Sequence, residues 1–280
     1  MFSDILLTVD FDRTLTGPNG EIPQANIRAI EYFIANGGSF TVNTGRGPAT
    51  FWQYIDVFPA NAPLLFYNGS AAWEKGKLTH LCPIALDVWE TMRQMREEFP
   101  ELHLEIQGET THYLIDATPD IISLYESQDW KYQCAQWGQD VGAFVKFAFF
   151  GKVRTPEVSD MYAYSQEELQ YFDYAEQRIR DLYGDKIAVF RAAPRIIDVH
   201  AKGVSKLSAA RNLQERLGKN ILICVGDGEN DIPMLDGADY AFCPADGIVA
   251  NRYPTVCPCG EGAISEVIYK KIPEILHIQP

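Results

Sequence analysis

Four short apolar runs in this sequence end in residues that could do chemistry. Ile5–Val9 runs into Asp10-Phe11-Asp12, and Ser39–Asn43 into Thr44-Gly45-Arg46. Pro63–Tyr67 runs into Asn68-Gly69, and Ile221–Val225 into Gly226-Asp227-Gly228-Glu229-Asn230-Asp231. In an open parallel sheet, ligands bind outside the carboxyl ends of the strands. Placed that way, several carboxylates, a hydroxyl and a set of glycine amides share one sheet edge. Like charges so close raise one another's pKa. A hard divalent cation with oxygen ligands relieves that conflict, and Mg²⁺ uses one or two carboxylates together with waters and a substrate phosphate. Such an ion also lets an anionic substrate approach an acidic site. Two carboxylates spaced as Asp10 and Asp12 can both reach one phosphorus, one attacking and the other protonating the leaving oxygen. Thr44 offers a hydroxyl and nearby amides to phosphate oxygens, and Lys206 a charge-assisted bond.

The elements that must position these residues follow from pattern and punctuation. Ile5–Val9, Ser39–Asn43 and Pro63–Tyr67 read as strands, with helices over Ile22–Asn36 and Ala49–Val57 between them. Strand and helix in alternation predict a parallel sheet with crossover helices. The rhythm then changes. Helices are expected at Ile84–Phe99, Asp120–Gln128 and Gln166–Tyr183, and a strand at Ala143–Phe150. Hairpins are expected at Leu102–Gln107 with Thr111–Ile115, and at Ile187–Arg191 with Arg195–His200. After His200 the alternation returns with a helix at Val204–Leu217, a strand at Ile221–Val225, a helix from Asp231 to Leu235, a strand at Tyr240–Phe242 and a helix at Ala263–Lys271. The expected fold is α/β, a Rossmann-like parallel-sheet core of residues 1–82 and 200–280, with an α+β domain of residues 83–199 inserted in it.

Composition bounds the function. The 280 residues carry a net charge of −14, which argues against a binder of nucleic-acid backbones. No run reaches the length of a membrane span, and the N-terminus lacks the basic start of a signal peptide. A cytoplasmic protein is expected. Six cysteines without a metal-binding spacing read as reduced thiols.

Taken together, Asp10-Phe-Asp-Arg-Thr-Leu-Thr16, Thr44-Gly-Arg46, Gly203-Val-Ser-Lys206 and Gly226-Asp-Gly-Glu-Asn-Asp-Ile-Pro-Met-Leu235 resemble the four motifs of the haloacid dehalogenase superfamily. The arrangement is similar to its Cof-type phosphatases, with a cap of the C2B kind inserted between the second and third motifs. The resemblance implies Asp10 as a nucleophile forming an aspartyl-phosphate, and Asp12 as general acid and then base. It implies Thr44, Gly45, Arg46, Asn68, Lys206 and Asn230 around the phosphate. It further implies Mg²⁺ held by Asp10, the Asp12 carbonyl and Asp227, with Asp231 in support. An acid two residues after the nucleophile marks phosphatases and phosphomutases within that superfamily. Many relatives have Gly where Arg13 and Leu207 stand here. Lys202 also sits before a glycine, but Lys206 is preferred because Leu-Ser-Ala-Ala places it at a helix start.

The expected activity is Mg²⁺-dependent removal of phosphate from a small phosphorylated metabolite, with a sugar phosphate as the class the resemblance implies. A phosphomutase and a phosphate-sensing binding protein on the same scaffold are the alternatives. Asn68-Gly69 read alone is a hairpin turn, and Arg46 read alone is a surface residue. The inserted domain is expected to act as a mobile cap that selects the leaving group.

Overall fold

A computed structural model describes residues 1–155, 157 and 163–277. The chain divides into two compact units. The first comprises Met1–Gly45, Gln53–Thr79 and Ser205–Pro280, and the second Arg46–Trp52 and His80–Val204.

The first unit is built on a five-stranded sheet. Its strands run in the order Thr255–Val256, Tyr240–Pro244, Ile221–Val225, Ile5–Val9 and Ser39–Val42, all parallel. The Ile-Leu-Leu-Thr-Val strand is buried along its whole length, as a strand covered on both faces requires. Val9 pairs with Val225 on one side and Val42 on the other, so these strands end level. Asp10, Gly226 and Asn43 therefore leave the sheet side by side. Pro63–Tyr67 departs from expectation. Leu64–Phe66 touches the parallel sheet through the single bridge from Asn43 to Leu65. Its main pairing is antiparallel, with Ala71–Glu74, which pairs in turn with Lys77–Thr79.

Helix ends follow their capping chemistry. Lys206–Leu217 starts at Ser205, whose hydroxyl accepts from the Ser208 amide at 3.0 Å while Ser208 reaches back to the Ser205 amide at 3.0 Å. Gly218 closes it in the left-handed conformation. The helix expected at Ala49–Val57 is only Pro48–Phe51, followed by a 3₁₀ turn over Trp52–Tyr54.

The second unit carries a six-stranded sheet in the order Ile187–Ala193, Ile196–Ala201, Lys146–Phe150, His103–Gln107, His112–Ile115 and Tyr132–Ala135. Helices Val88–Glu98 and Gln166–Tyr183 share a core with it, in which Met92, Met95, Phe172 and Ile179 pack with Ile106, Phe147, Phe149 and Val199. Period-two alternation puts the intervening residues on the opposite face. Those are Glu105, Gln107, His112, Lys146, Asp198 and His200, all buried. Lys146 pairs with Asp198 at 2.7 Å. His112 Nδ1 lies 2.9 Å from both Glu105 and the hydroxyl of Tyr125, which also donates to Glu105. Burial alone would raise the Glu105 pKa, but His112 and Tyr125 hold it below the usual range.

Candidate active site

Asp10 is the first residue past the central strand, and its amide donates to the Val225 carbonyl at 2.9 Å. The chain then makes a tight turn over Phe11–Leu15, in which the Leu15 amide returns to the Asp10 carbonyl at 3.2 Å. Phe11 anchors the turn in the core, its ring tilted against Tyr54 with 4.8 Å between centroids. Arg13 adopts a left-handed φ of 58°.

Lys206, one of the largest fully buried side chains, joins two acids. Its Nζ donates to Asp10 Oδ1 at 2.5 Å and to Asp231 Oδ1 at 2.6 Å. Its carbonyl accepts from Asn43 Nδ2 at 2.8 Å, which ties the helix start to the end of the neighbouring strand. Lys202 is exposed and belongs to the second unit, so the choice between the two lysines falls on Lys206 for this cluster.

Asp231 organises its own loop. Its Oδ2 accepts from the amides of Asp227 and Gly228, both at 3.0 Å. A Cβ at Gly226 would sit 2.5 Å from Asp231 Cγ, so only glycine lets the carboxylate fold back. Asp227 is thereby turned toward Asp10, with Thr14 Oγ1 donating to its Oδ1 at 3.3 Å.

A second group gathers beside these acids. The Asn68 amide donates to the Thr44 carbonyl at 2.9 Å, and Asn230 Nδ2 donates to Asn68 Oδ1 at 3.4 Å. Asn68 is left-handed, with φ 53°. Gly69 is packed so that an added Cβ would lie 2.6 Å from the Ser205 carbonyl. Asn68-Gly69 thus lies in a 3₁₀ turn over Tyr67–Gly69 that closes the hairpin between Leu64–Phe66 and Ala71–Glu74 and sits on the start of the Lys206 helix. Gly45 lies against Asn68. Arg46 groups with the second unit, where it donates to the Thr50 carbonyl at 3.1 Å and lies 5.9 Å from the Trp130 ring centroid. Asn43, Thr14 and Gly226 contribute supporting contacts the sequence reading did not assign. Asn43 directly precedes Thr44, and Thr14 and Gly226 lie within the first and fourth motifs, which was the available signal.

The electrostatics are those of a crowded acidic pocket. Burial, then Asp231, Asp227 and Asp12, push the Asp10 pKa well above the usual carboxylate range, against the pull of Lys206. Burial and Asp231 push Asp227 up to about 7. Burial would lower Lys206, but Asp10 and Asp231 hold it above its ordinary value. Carboxylate oxygens of Asp10, Asp227 and Asp231 all lie within 4.8 Å of one another. An all-oxygen, negatively charged donor set of this kind fits a hard divalent cation such as Mg²⁺.

A family model described as haloacid dehalogenase-like hydrolase matches residues 7–250, and the chain belongs to that family of enzymes. An uncharacterised hydrolase of Schizosaccharomyces pombe is 20% identical over 94% of this chain and 89% of its own length. A haloacid dehalogenase-like hydrolase from B. subtilis superposes with a TM-score of 0.77 at 15% identity, covering 95% of this chain and 99% of that one. A solved sugar phosphatase of subclass IIB superposes with a TM-score of 0.75 at 18% identity, over 97% and 98% of the two chains. No helix among the described residues is long and apolar enough to cross a membrane.

Proposed function

We propose that this protein is a Mg²⁺-dependent phosphatase that hydrolyses a small phosphorylated metabolite through an aspartyl-phosphate on Asp10. The observation that carries the reading is Lys206, which bridges Asp10, at the end of one parallel strand, and Asp231, in the loop after its neighbour, at 2.5 and 2.6 Å. A lysine so placed orients the Asp10 carboxylate and offers charge to an incoming phosphoryl group.

In this mechanism an Asp10 oxygen attacks phosphorus and the ester oxygen leaves, taking a proton from Asp12. Asp12 then removes a proton from water, which attacks the acyl phosphate and regenerates Asp10. Thr44, Gly45, Asn68 and Asn230 meet the phosphoryl oxygens, with Lys206. Asp10, the Asp12 carbonyl and Asp227 would hold Mg²⁺, and Asp231 would keep their loop and Lys206 in register. When bound, Mg²⁺ neutralises charge on the phosphoryl oxygens and on the acids themselves. That is what this pocket calls for, since burial and the neighbouring acids raise the pKa of both Asp10 and Asp227.

The substrate class is a sugar phosphate, a reading supported by the subclass IIB sugar phosphatase to which the chain is similar over nearly its whole length. The test is turnover of p-nitrophenyl phosphate and a panel of sugar phosphates with Mg²⁺ and without it. The reading requires Mg²⁺-dependent release of phosphate with no bisphosphate activator. A lack of turnover on every ester, with Mg²⁺ bound, would refute it.

A further inference from the structure

Arg13 keeps a conformation that suits glycine. Its φ is 58°, and its amide donates to the Thr16 hydroxyl at 3.1 Å, which holds the turn. A side chain with a Cβ pays roughly 1 kcal/mol or more for that region, whereas glycine enters it freely. In exchange the turn carries a long cation to the rim of the acidic pocket. Arg13 Nε lies 3.9 Å from Asp227 Oδ2, with 38% of the arginine side chain accessible against 9% of the aspartate.

The charges divide in a particular way. Asp10 and Asp231 share Lys206. Asp227, the third acid, feels the Lys206 charge without bonding to it, and the cation paired with it is Arg13. A further carboxylate, Asp246, is fixed nearby by the Cys259 amide at 2.9 Å. Burial would raise its pKa, but Cys259 hydrogen bonds and the Arg13 charge help to hold it low. A guanidinium leaving Asp227 therefore has a second, ionised acid within its field.

We propose that Arg13 is a counter-cation that a divalent metal ion must displace from Asp227, so that this residue sets the metal affinity of the site. The proposal rests on the reading of the acidic cluster as a Mg²⁺ site. The cation that balances Asp227 before loading repels the ion that replaces it. The exposed position of Arg13 gives it room to move, which the buried Lys206 lacks.

The experiment is calorimetric titration of Mg²⁺ into the chelator-treated full-length protein, with Arg13→Gln, Arg13→Gly and Arg13→Lys beside wild type. Gln and Gly remove the cation, one keeping the backbone strain and the other relieving it. Both should bind Mg²⁺ about tenfold more tightly, the scale of one unit charge acting on a divalent ion in a solvated setting. Lys should stay near the wild-type value. The gap should narrow in roughly 1 M salt, where screening reaches about 3 Å. Arg13→Gly should melt at or above wild type, which also shows that the turn is intact. Gln and Gly variants that bind Mg²⁺ no more tightly than wild type would overturn the proposal. Weaker binding would overturn it too, by making Arg13 a support of the site. If wild type and all three variants turn over p-nitrophenyl phosphate yet take up no Mg²⁺, the metal reading fails and this inference fails with it.

Discussion

Replacing Lys206 by Met tests how the pocket is held together. The side chain is about isosteric, so packing changes little, but the ammonium group bonded to Asp10 and Asp231 is lost. Removing one partner of a buried ion pair costs roughly 3–5 kcal/mol, because the remaining charge has no compensation. The acids have an escape by protonation, and burial and mutual repulsion already favour it for Asp10 and Asp227. The loss should therefore depend on pH. At pH 8, in chelator, Lys206→Met should lower the melting temperature by on the order of 10 °C. At pH 5, where the acids accept protons cheaply, most of that loss should vanish. Circular dichroism melts at both pH values, with Mg²⁺ added back at pH 8, make the comparison. Added Mg²⁺ should recover part of the loss by supplying the missing charge. A shift that is small at pH 8, or equal at the two pH values, would refute the electrostatic account of Lys206.

Three further outcomes follow from the same geometry. Asp227→Asn should raise the Mg²⁺ concentration needed for half-maximal turnover by at least tenfold, about 1.4 kcal/mol of lost binding, as read in a metal titration of initial rates. Gly226→Ala should lower kcat by about a hundredfold or more while the protein stays folded, since a Cβ 2.5 Å from Asp231 Cγ forces the loop off Asp227 and Gly228; near-wild-type kcat would show that the loop tolerates the shift. In metal-free protein the raised pKa of Asp227 favours its protonated form, so that contribution to stability is full below about pH 4 and is lost as pH rises through about 7. Asp227→Asn should accordingly melt above wild type at pH 8 in chelator and lose that advantage at pH 4.

The fold was legible where one period dominates. Ile5–Val9 and Ile221–Val225 are apolar runs ending in acids, and the structure places them side by side in the parallel sheet. Asp10, Asp227 and Asp231 converge because the strands that precede them end level, and the start of the Lys206–Leu217 helix brings Lys206 onto two of them. Local pattern failed where tertiary pairing decides. Leu64–Phe66 looks like another parallel strand, yet it finds its main partner in Ala71–Glu74, a short segment with no strand-like alternation. Tyr132–Ala135 was missed because it is a short edge strand, mostly open to solvent. The polar face carrying Lys146, Asp198, Glu105 and His112 was hidden for another reason. Each of these residues reads as an exposed position in a two-sided strand, and only the pairing across the sheet shows that they neutralise one another in the interior. Arg46 follows the Thr44-Gly45 motif directly, but it groups with the second unit and contacts Thr50 and Trp130 there, which spacing along the chain cannot reveal.

The central claim is that the phosphoryl group passes through Asp10. Each in-line displacement inverts phosphorus, so transfer to Asp10 and then to water gives overall retention. Direct attack by water gives inversion. Hydrolysis of an isotopically chiral phosphorothioate ester, with the product configuration read by phosphorus NMR, separates the two. Retention by wild type, together with loss of turnover in Asp10→Asn, is the predicted result; inversion at phosphorus would contradict the account.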